Sequence, residues 1–166
     1  MLALFFKNDM NEFQECYNKA IDLLAMRDHS ARELGRKLYR YEFNKEVINS
    51  VIEKLIEKNY INESEYSRVA IRNYAGKRYS KSKIIEKLNH NGIKIDSHRI
   101  EETFEKEGIN YQDIIDQNVQ KVLRSLTHKN LSLRELETKV LSRLYAKGFS
   151  LDEIRFSFNR CVNELS

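Results

Sequence analysis

The sequence predicts an all-α fold built from three tandem three-helix repeats. Its 166 residues include no proline and only five glycines, the two residues that helix interiors tolerate least. Apolar residues recur every three or four positions along most of the chain, as one buried helix face requires. A similar short turn occurs three times at intervals of about 50 residues, which is typical of a helical repeat protein.

The first repeat, residues 9–60, contains three predicted helices. A helix is expected over 11–26, and the residues on its apolar face are Phe13, Tyr17, Ala20, Ile21 and Leu24. Asp28 and Ser30 are the N-cap candidates of the second helix, and Asn44 is the predicted N-cap of the third, because their side-chain oxygens can accept hydrogen bonds from free backbone N–H groups. The apolar residues of the third helix follow the helical period and are Ile48, Val51, Ile52 and Leu55.

The second repeat, residues 61–108, and the third, residues 109–166, follow the same plan. In the second repeat the first helix, with Tyr66 and Tyr74 on its apolar face, ends at Gly76. Polar residues then mark the expected starts of the five helices that follow. Ser80, Asp96 and Ser150 are predicted N-caps, and Asn110 and Ser132 are where the other two helices are expected to start.

The repeated turn follows the second helix of each repeat. A leucine predicted to lie in the core precedes it, at Leu38, Leu88 and Leu144. Gly92 and Gly148 suit the left-handed backbone position that ends many helices. Glu42 occupies that position in the first repeat, so its backbone is either strained or ends the helix in another way.

Positive charge is concentrated in the middle of the chain. The net charge is only +4, yet residues 68–99 hold nine lysines and arginines against two acids, Glu86 and Asp96. Such an excess attracts polyanions or an acidic protein surface. Because acids cluster in residues 100–118, we expect them to lie apart from the cations and to give the molecule an asymmetric charge distribution.

Helical spacing predicts that several of these cations share one basic ridge. Arg68 and Arg72 are spaced i, i+4, as are Lys83 and Lys87, so each pair lies on one helix face. Two further cations, Lys77 and Arg78, lie in the connection between those helices. The alternative interpretation is a set of ordinary solvated helix faces.

Catalysis is not indicated by the sequence. It contains no phosphate-binding loop, dinucleotide-binding glycine pattern or nucleophile elbow. His90, Asp96 and His98 could be considered as metal ligands, but Asp96 is better explained as a helix cap. We therefore expect no enzyme activity, metal or cofactor.

The two cysteines and the first residues of the chain indicate where in the cell the protein is expected. Cys16 and Cys161 are too few and too far apart for a disulfide framework, so we expect small buried residues. The apolar run at residues 2–6 is too short for a signal sequence or a membrane span. A cytoplasmic protein without membrane contact is the resulting expectation.

Nucleic-acid binding without sequence readout fits the charge pattern. Three-helix units with a tight turn resemble helix-turn-helix modules, which place their last helix in the major groove. Here the third helices are acidic, with Glu46, Glu53 and Glu57 in the first repeat. We therefore expect contacts with the phosphate backbone through the first and second helices.

Four segments of the chain match the pattern of one known family. Residues 27–38, RDHSARELGRKL, match its signature R-x-H-S-x-x-E-L-x-x-K-L. Residues 60–72 are similar to its tyrosine, acidic turn and paired arginines, residues 78–88 to its next helix, and residues 147–150, KGFS, to the turn in its third unit. Together these segments resemble the RecX family of bacterial recombination regulators. The resemblance covers residues 16–162, with departures at Glu42, at the turn where Tyr79-Ser80 replaces Gly-Pro, and in residues 108–131.

This resemblance implies an elongated, curved array of the three repeats that binds the RecA recombinase filament. Such a protein inhibits the ATPase and strand exchange of RecA, within DNA repair, recombination and the SOS response. It implies a monomer that contacts RecA and single- or double-stranded DNA, mainly through phosphates. The residues to which this role is assigned are Arg27, Arg32, Arg36, Lys37, Arg68, Arg72, Lys77, Arg78, Lys81, Lys83 and Lys87. The alternative is a free-standing helical DNA-binding module that needs no RecA.

Overall fold

A computed structural model describes the backbone of residues 2–163 and the side chains of residues 11–163. Within this range the chain forms nine α-helices and no β-strand, which confirms the predicted all-α class. The helices are α1 (Leu2–Met26), α2 (Ala31–Tyr39), α3 (Lys45–Glu57), α4 (Glu63–Gly76), α5 (Lys81–His90), α6 (Ser97–Lys106), α7 (Tyr111–Arg124), α8 (Leu133–Tyr145) and α9 (Leu151–Asn163). None of these helices, over the part described, is both long and apolar enough to cross a membrane.

The helices begin where the polar caps predict. A side-chain oxygen accepts a hydrogen bond from a first-turn backbone N–H at Ser30, Asn44, Ser80, Asp96 and Ser150, which confirms these predicted caps and selects Ser30 over Asp28. Asn110 and Ser132, where helices were expected to start, cap α7 and α8 in the same way. Ser132 and Glu135 form a reciprocal capping box at the start of α8. The prediction was wrong for α1, which begins at Leu2 rather than near residue 11. Residues 2–10 contain neither glycine nor proline, so nothing in them ends a helix.

The chain divides into two compact units. One consists of Met1–Ser67 with His90–Ile93, and the other of Arg68–Asn89 with Lys94–Ser166. In the first unit α1, α2 and α3 pack together, and in the second α7, α8 and α9 do so. The boundaries of the three sequence repeats stay a prediction.

The predicted apolar face of α1 packs on the core of the first unit. Among the described side chains of α1, Cys16 and Ala20 are buried as predicted, and Leu23, which was not predicted, is buried with them. The other residues of the predicted face are partly buried against this core, namely Phe13, Tyr17, Ile21 and Leu24. A helix that packs against two neighbours buries a broad stripe, and tertiary contacts decide which edge of that stripe is covered more. Both cysteines are buried as predicted, and burial, with a smaller effect of the Glu12 charge, raises the pKa of Cys16 to about 11.

The repeated turn adopts the predicted left-handed backbone in all three places. Gly92 has a φ of 88° and Gly148 a φ of 86°. Glu42 has a φ of 64°, so the first repeat keeps the same turn with a residue that is not glycine. The core leucines before these turns are completely buried, as predicted, at Leu38, Leu88 and Leu144.

Candidate nucleic-acid interface

Two predicted cations of the first unit have partners inside that unit. Arg27 pairs with Glu33, with one nitrogen 3.2 Å from a carboxylate oxygen and the other forming a second, shorter contact. The Arg36 guanidinium donates to His90 Nε2 at 2.7 Å and to Asn91 Oδ1 at 2.8 Å. These bonds hold both guanidinium groups in defined places, and the Arg27 side chain remains 53% exposed.

A groove of about 750 Å³ lies between α2 and α3 in the same unit. Its charged lining residues are all cations, namely Arg32, Arg36, Arg40 and Lys45. Gly35, Ile48 and Ile52 contribute apolar surface. Two of the predicted site residues, Arg32 and Arg36, therefore share one groove, whereas Lys37 does not line it.

Arg68 and Arg72 lie on one side of α4, and both contact the same acid. Glu107 follows α6, and one of its carboxylate oxygens pairs with Arg68. The other oxygen lies 3.6 Å from Arg72 Nη1. The two arginine side chains are 41% and 51% exposed, whereas that of Glu107 is 15% exposed. The helical spacing is confirmed, but the acidic segment does not lie apart from the basic one.

The lysines of α5 also have neighbours in the second unit. Lys81 Nζ lies 2.7 Å from a carboxylate oxygen of Glu101, another acid of the 100–118 segment. Lys83 pairs with Glu86, one turn later on the same helix, at 2.6 Å. The expectation that acids lie elsewhere was therefore wrong, because Glu101 and Glu107 form ion pairs with cations of the basic segment and reduce its local excess of charge.

Lys77 and Lys87 lie near a pair of stacked tyrosines. The rings of Tyr74 and Tyr79 are stacked, with their centroids 5.8 Å apart. Lys87 Nζ lies 5.8 Å from the first ring centroid and 5.3 Å from the second, and Lys77 Nζ lies 6.0 Å from the first. At these distances the ring faces attract the ammonium groups.

A cleft of about 580 Å³ in the second unit collects cations from separate parts of the chain. It is bounded by the α4–α5 turn, the start of α5, one side of α7 and the α8–α9 turn. Its lining cations are Lys77, Arg78, Lys83, Lys121 and Lys147, and Glu86 is the acid among its lining residues. A concave surface with this charge concentrates a positive potential.

Hydrogen bonds fix the backbone on both sides of this cleft, which we call the basic cleft. Ser80 Oγ donates to the Lys147 carbonyl oxygen at 2.9 Å, and the buried Asn118 amide donates to the Arg78 carbonyl oxygen at 3.1 Å. Gly148 is needed where the two walls meet, since a Cβ there would lie 2.8 Å from Ser80 Oγ. The lining side chains therefore extend from a rigid backbone.

Basic and polar side chains continue from the basic cleft along α7. Gln117, Gln120, Lys121 and Arg124 have the spacing i, i+3, i+4 and i+7, which places them on one helix face. With Arg78 they line a second hollow of about 300 Å³. The two hollows share Arg78 and Lys121, so they adjoin.

Sequence reasoning found some of these cations and missed others. Lys77, Arg78 and Lys83 belong to the basic segment and do line the basic cleft. Lys121 and Arg124 were missed because acids such as Asp113 and Asp116 balance their charge in the local sequence. Their position on the polar face of α7 was the signal that could have identified them.

The alternative of a metal site receives no support from the described side chains. Among residues 11–163, no three His, Cys, Asp or Glu side chains come together as metal ligands would. Asp96 accepts a hydrogen bond from the Arg99 backbone N–H at 2.9 Å, as a helix cap does. His98 Nδ1 lies 3.8 Å from a carboxylate oxygen of Glu102.

Comparisons with known proteins identify relatives along most of the chain. A family model described as the first three-helix domain of RecX matches residues 16–55. The regulatory protein RecX of Pseudomonas syringae pv. tomato is 28% identical over 135 residues, which cover 81% of this chain and 84% of the relative. Those of Streptococcus pneumoniae and Bacillus cytotoxicus are 25% and 27% identical, over 91% and 93% of this chain. The chain spans only 57% and 55% of the length of these two relatives.

Two solved structures share the fold. The crystal structure of RecX from Lactobacillus salivarius superimposes with a TM-score of 0.73 and 22% identity, covering 92% of this chain and 97% of that one. A crystal structure of a regulatory protein RecX gives a TM-score of 0.75 at 18% identity, covering 92% of this chain and 74% of that one. These matches support the all-helical arrangement described above.

Proposed function

Starting from membership of the RecX family, we propose that the chain binds the RecA recombinase filament and inhibits its ATPase and strand-exchange activities. The observation that carries the proposal is the match of residues 16–55 to the first three-helix domain of RecX. The relatives that match most of the chain are named regulatory proteins. The role in DNA repair and recombination follows from the same resemblance.

The proposed contacts are electrostatic. A RecA filament on DNA presents phosphates and acidic protein surface, both of which attract arginine and lysine side chains. Arg32 and Arg36 in the α2–α3 groove, and Lys77 and Arg78 in the basic cleft, supply such cations without an ion-pair partner among the described acids. Arg68 and Arg72 must exchange Glu107 for a group on the filament, and their partial exposure allows this.

The proposed mode of action is binding rather than catalysis. The chain would act as a cytoplasmic monomer without a cofactor, contacting both RecA and the phosphates of single- or double-stranded DNA. Arginine suits this role, because its planar guanidinium forms two parallel hydrogen bonds to a phosphate or a carboxylate.

The test is the single-stranded-DNA-dependent ATPase of RecA from the same organism. We expect the purified chain to slow ATP hydrolysis at concentrations at or below that of RecA. Arg68→Gln combined with Arg72→Gln should weaken the inhibition about fivefold, which corresponds to roughly 1 kcal/mol for charge-assisted contacts. The matched control is Arg134→Gln with Lys139→Gln, which removes two exposed cations from α8 and should leave inhibition unchanged.

An unaltered ATPase and an unaltered filament lifetime at excess protein would refute the proposal. The alternative, a DNA-binding module that needs no RecA, makes a different prediction. It would bind naked DNA as tightly as the filament and with a steep dependence on salt. Comparing the two affinities under one buffer condition decides between them.

A further inference from the structure

We infer that the basic cleft and the adjoining face of α7 bind single-stranded DNA, with phosphates held by cations and one base stacked on Tyr145. The inference deepens the proposed function, on which it rests for the choice of DNA as ligand. It concerns residues outside the predicted set, since Lys121, Arg124, Tyr145 and Lys147 were not assigned any role from the sequence.

Several cations that line the basic cleft have no carboxylate partner among the described residues. Within the described part of the chain, no acidic side chain forms an ion pair with Arg78, Lys121 or Lys147. Lys83 is the lining cation that does have such a partner, Glu86. The basic cleft thus differs from the Arg68 and Arg72 cluster, where a carboxylate already neutralises the guanidinium groups.

An aromatic side chain lies among these cations. Tyr145 lines the basic cleft, yet it is 62% exposed. Proteins that bind single strands combine a positive groove with exposed aromatic rings, on which unpaired bases stack. A duplex keeps its base faces inside its own stack, so only an unpaired base can cover this ring.

The size of the basic cleft and its continuity with the α7 face suit a strand of nucleotides. A volume of about 580 Å³ lies in the range of sites that hold small ligands, and a nucleotide is one of these. From Gln117 to Arg124 the α7 face extends about 10 Å, at about 1.5 Å per residue. That length exceeds the spacing of neighbouring phosphates in a stacked strand, about 3.4 Å. Because Arg78 and Lys121 line both hollows, one strand can pass from the basic cleft onto α7.

Hydrogen bonds between its walls preorganise the backbone of the basic cleft. The bond from Ser80 to the Lys147 carbonyl joins the α4–α5 turn to the α8–α9 turn. The bond from Asn118 to the Arg78 carbonyl joins the first of these turns to α7. A ligand that binds here therefore orders side chains only, because the backbone on each side is already held.

The test measures binding to naked DNA without RecA. We would follow the fluorescence anisotropy of a labelled oligothymidylate of about 20 nucleotides, long enough for one such site. A hairpin duplex with the same label serves as the second probe. Tyr145→Ala should weaken binding of the oligothymidylate at least fivefold, the change that corresponds to base stacking on one aromatic ring. Tyr145→Phe should retain the affinity, and binding of the duplex should be insensitive to both variants.

A charge variant and two matched controls complete the design. Lys121→Gln with Arg124→Gln should reduce the slope of log affinity against log salt by about 1.4, because each phosphate contact with a single strand contributes about 0.7. Tyr60→Ala removes a comparably exposed tyrosine from another place, and Lys106→Gln with Lys139→Gln removes two exposed cations outside both hollows. Both controls should bind as the unaltered chain does. Thermal unfolding of Tyr145→Ala should be unchanged, since the ring is mostly exposed.

Oligothymidylate binding that is unaffected by Tyr145→Ala would overturn the inference, even if the charge variant weakens it. The same holds if the hairpin duplex binds as tightly as the single strand. Measuring the RecA ATPase on the same proteins separates the two proposals. Inhibition without Tyr145-dependent strand binding retains the proposed function and rejects the inference. Tyr145-dependent binding without inhibition supports the inference and rejects the proposed function.

Discussion

Replacing Glu42 by glycine should stabilise the protein. Glu42 has a φ of 64°, in a region where the Cβ of an L-residue crowds the following carbonyl oxygen. That crowding costs about 1–2 kcal/mol, whereas glycine pays none of it but loses about 0.5–1 kcal/mol through its greater freedom in the unfolded chain. The difference is a gain of roughly 0.5–1 kcal/mol in the free energy of unfolding.

The structure supports this magnitude because the substitution removes little else. The Glu42 side chain is exposed. The backbone hydrogen bond from its N–H to the Tyr39 carbonyl oxygen, 3.1 Å long, does not depend on the side chain. Gly92 and Gly148 show that glycine adopts this turn in the other two places, with φ values of 88° and 86°.

Urea unfolding and calorimetry measure the effect. For a chain of this length, each kcal/mol shifts the unfolding midpoint by about 2–4 °C, so Glu42→Gly should raise Tm by about 1–4 °C. Glu42→Ala is the control, because it removes the carboxylate and keeps the Cβ. An equal gain in Glu42→Ala would assign the effect to charge, and a lower Tm in Glu42→Gly would refute the backbone argument.

Three further outcomes follow from the same contacts. Gly148→Ala should destabilise the protein by about 1–3 kcal/mol in urea unfolding, because its Cβ would be strained at positive φ and would displace Ser80 Oγ; an unchanged midpoint would contradict this. The pKa of His29 is lowered by burial, partly opposed by the hydrogen bond to the Arg27 carbonyl, so the folded state disfavours the charged ring. Unfolding free energy should therefore fall as pH is lowered from about 7 to about 5, and His29→Gln should lose that part of the pH dependence. Arg68→Gln with Arg72→Gln should also reduce the salt dependence of filament binding. An unchanged slope of log affinity against log salt would mean that both arginines stay paired with Glu107 when the filament binds.

The buried His29 ring explains why the pH test is informative. Nδ1 lies 2.8 Å from the Arg27 carbonyl oxygen, and since a carbonyl only accepts, Nδ1 carries the proton. Nε2 is buried and has no hydrogen-bond partner among the described residues. Protonation would place a second N–H where nothing accepts it. The contribution of His29 to stability is therefore fully present above the ordinary histidine pKa and declines as the pH falls below it.

Local features of the chain were predictable because they depend on neighbouring residues. An N-cap such as Asn44 or Asp96 acts on a backbone N–H two or three residues away, so its side chain is sufficient evidence. The left-handed turns at Gly92 and Gly148 follow from glycine itself. The helical spacing of Arg68 and Arg72 likewise follows from the period of α4.

The sequence alone thus determined the all-helical class, the caps, the repeated turns and the resemblance to RecX. Tertiary structure decided which charged side chains form ion pairs, since Glu107 contacts Arg68 although the two residues are 39 positions apart in the chain. The same is true of the basic cleft, which joins Lys121 and Lys147 to the α4–α5 turn. Electrostatic interactions depend on distance in space, and a linear charge count cannot show that α6 neutralises one group of cations while α7 adds to another.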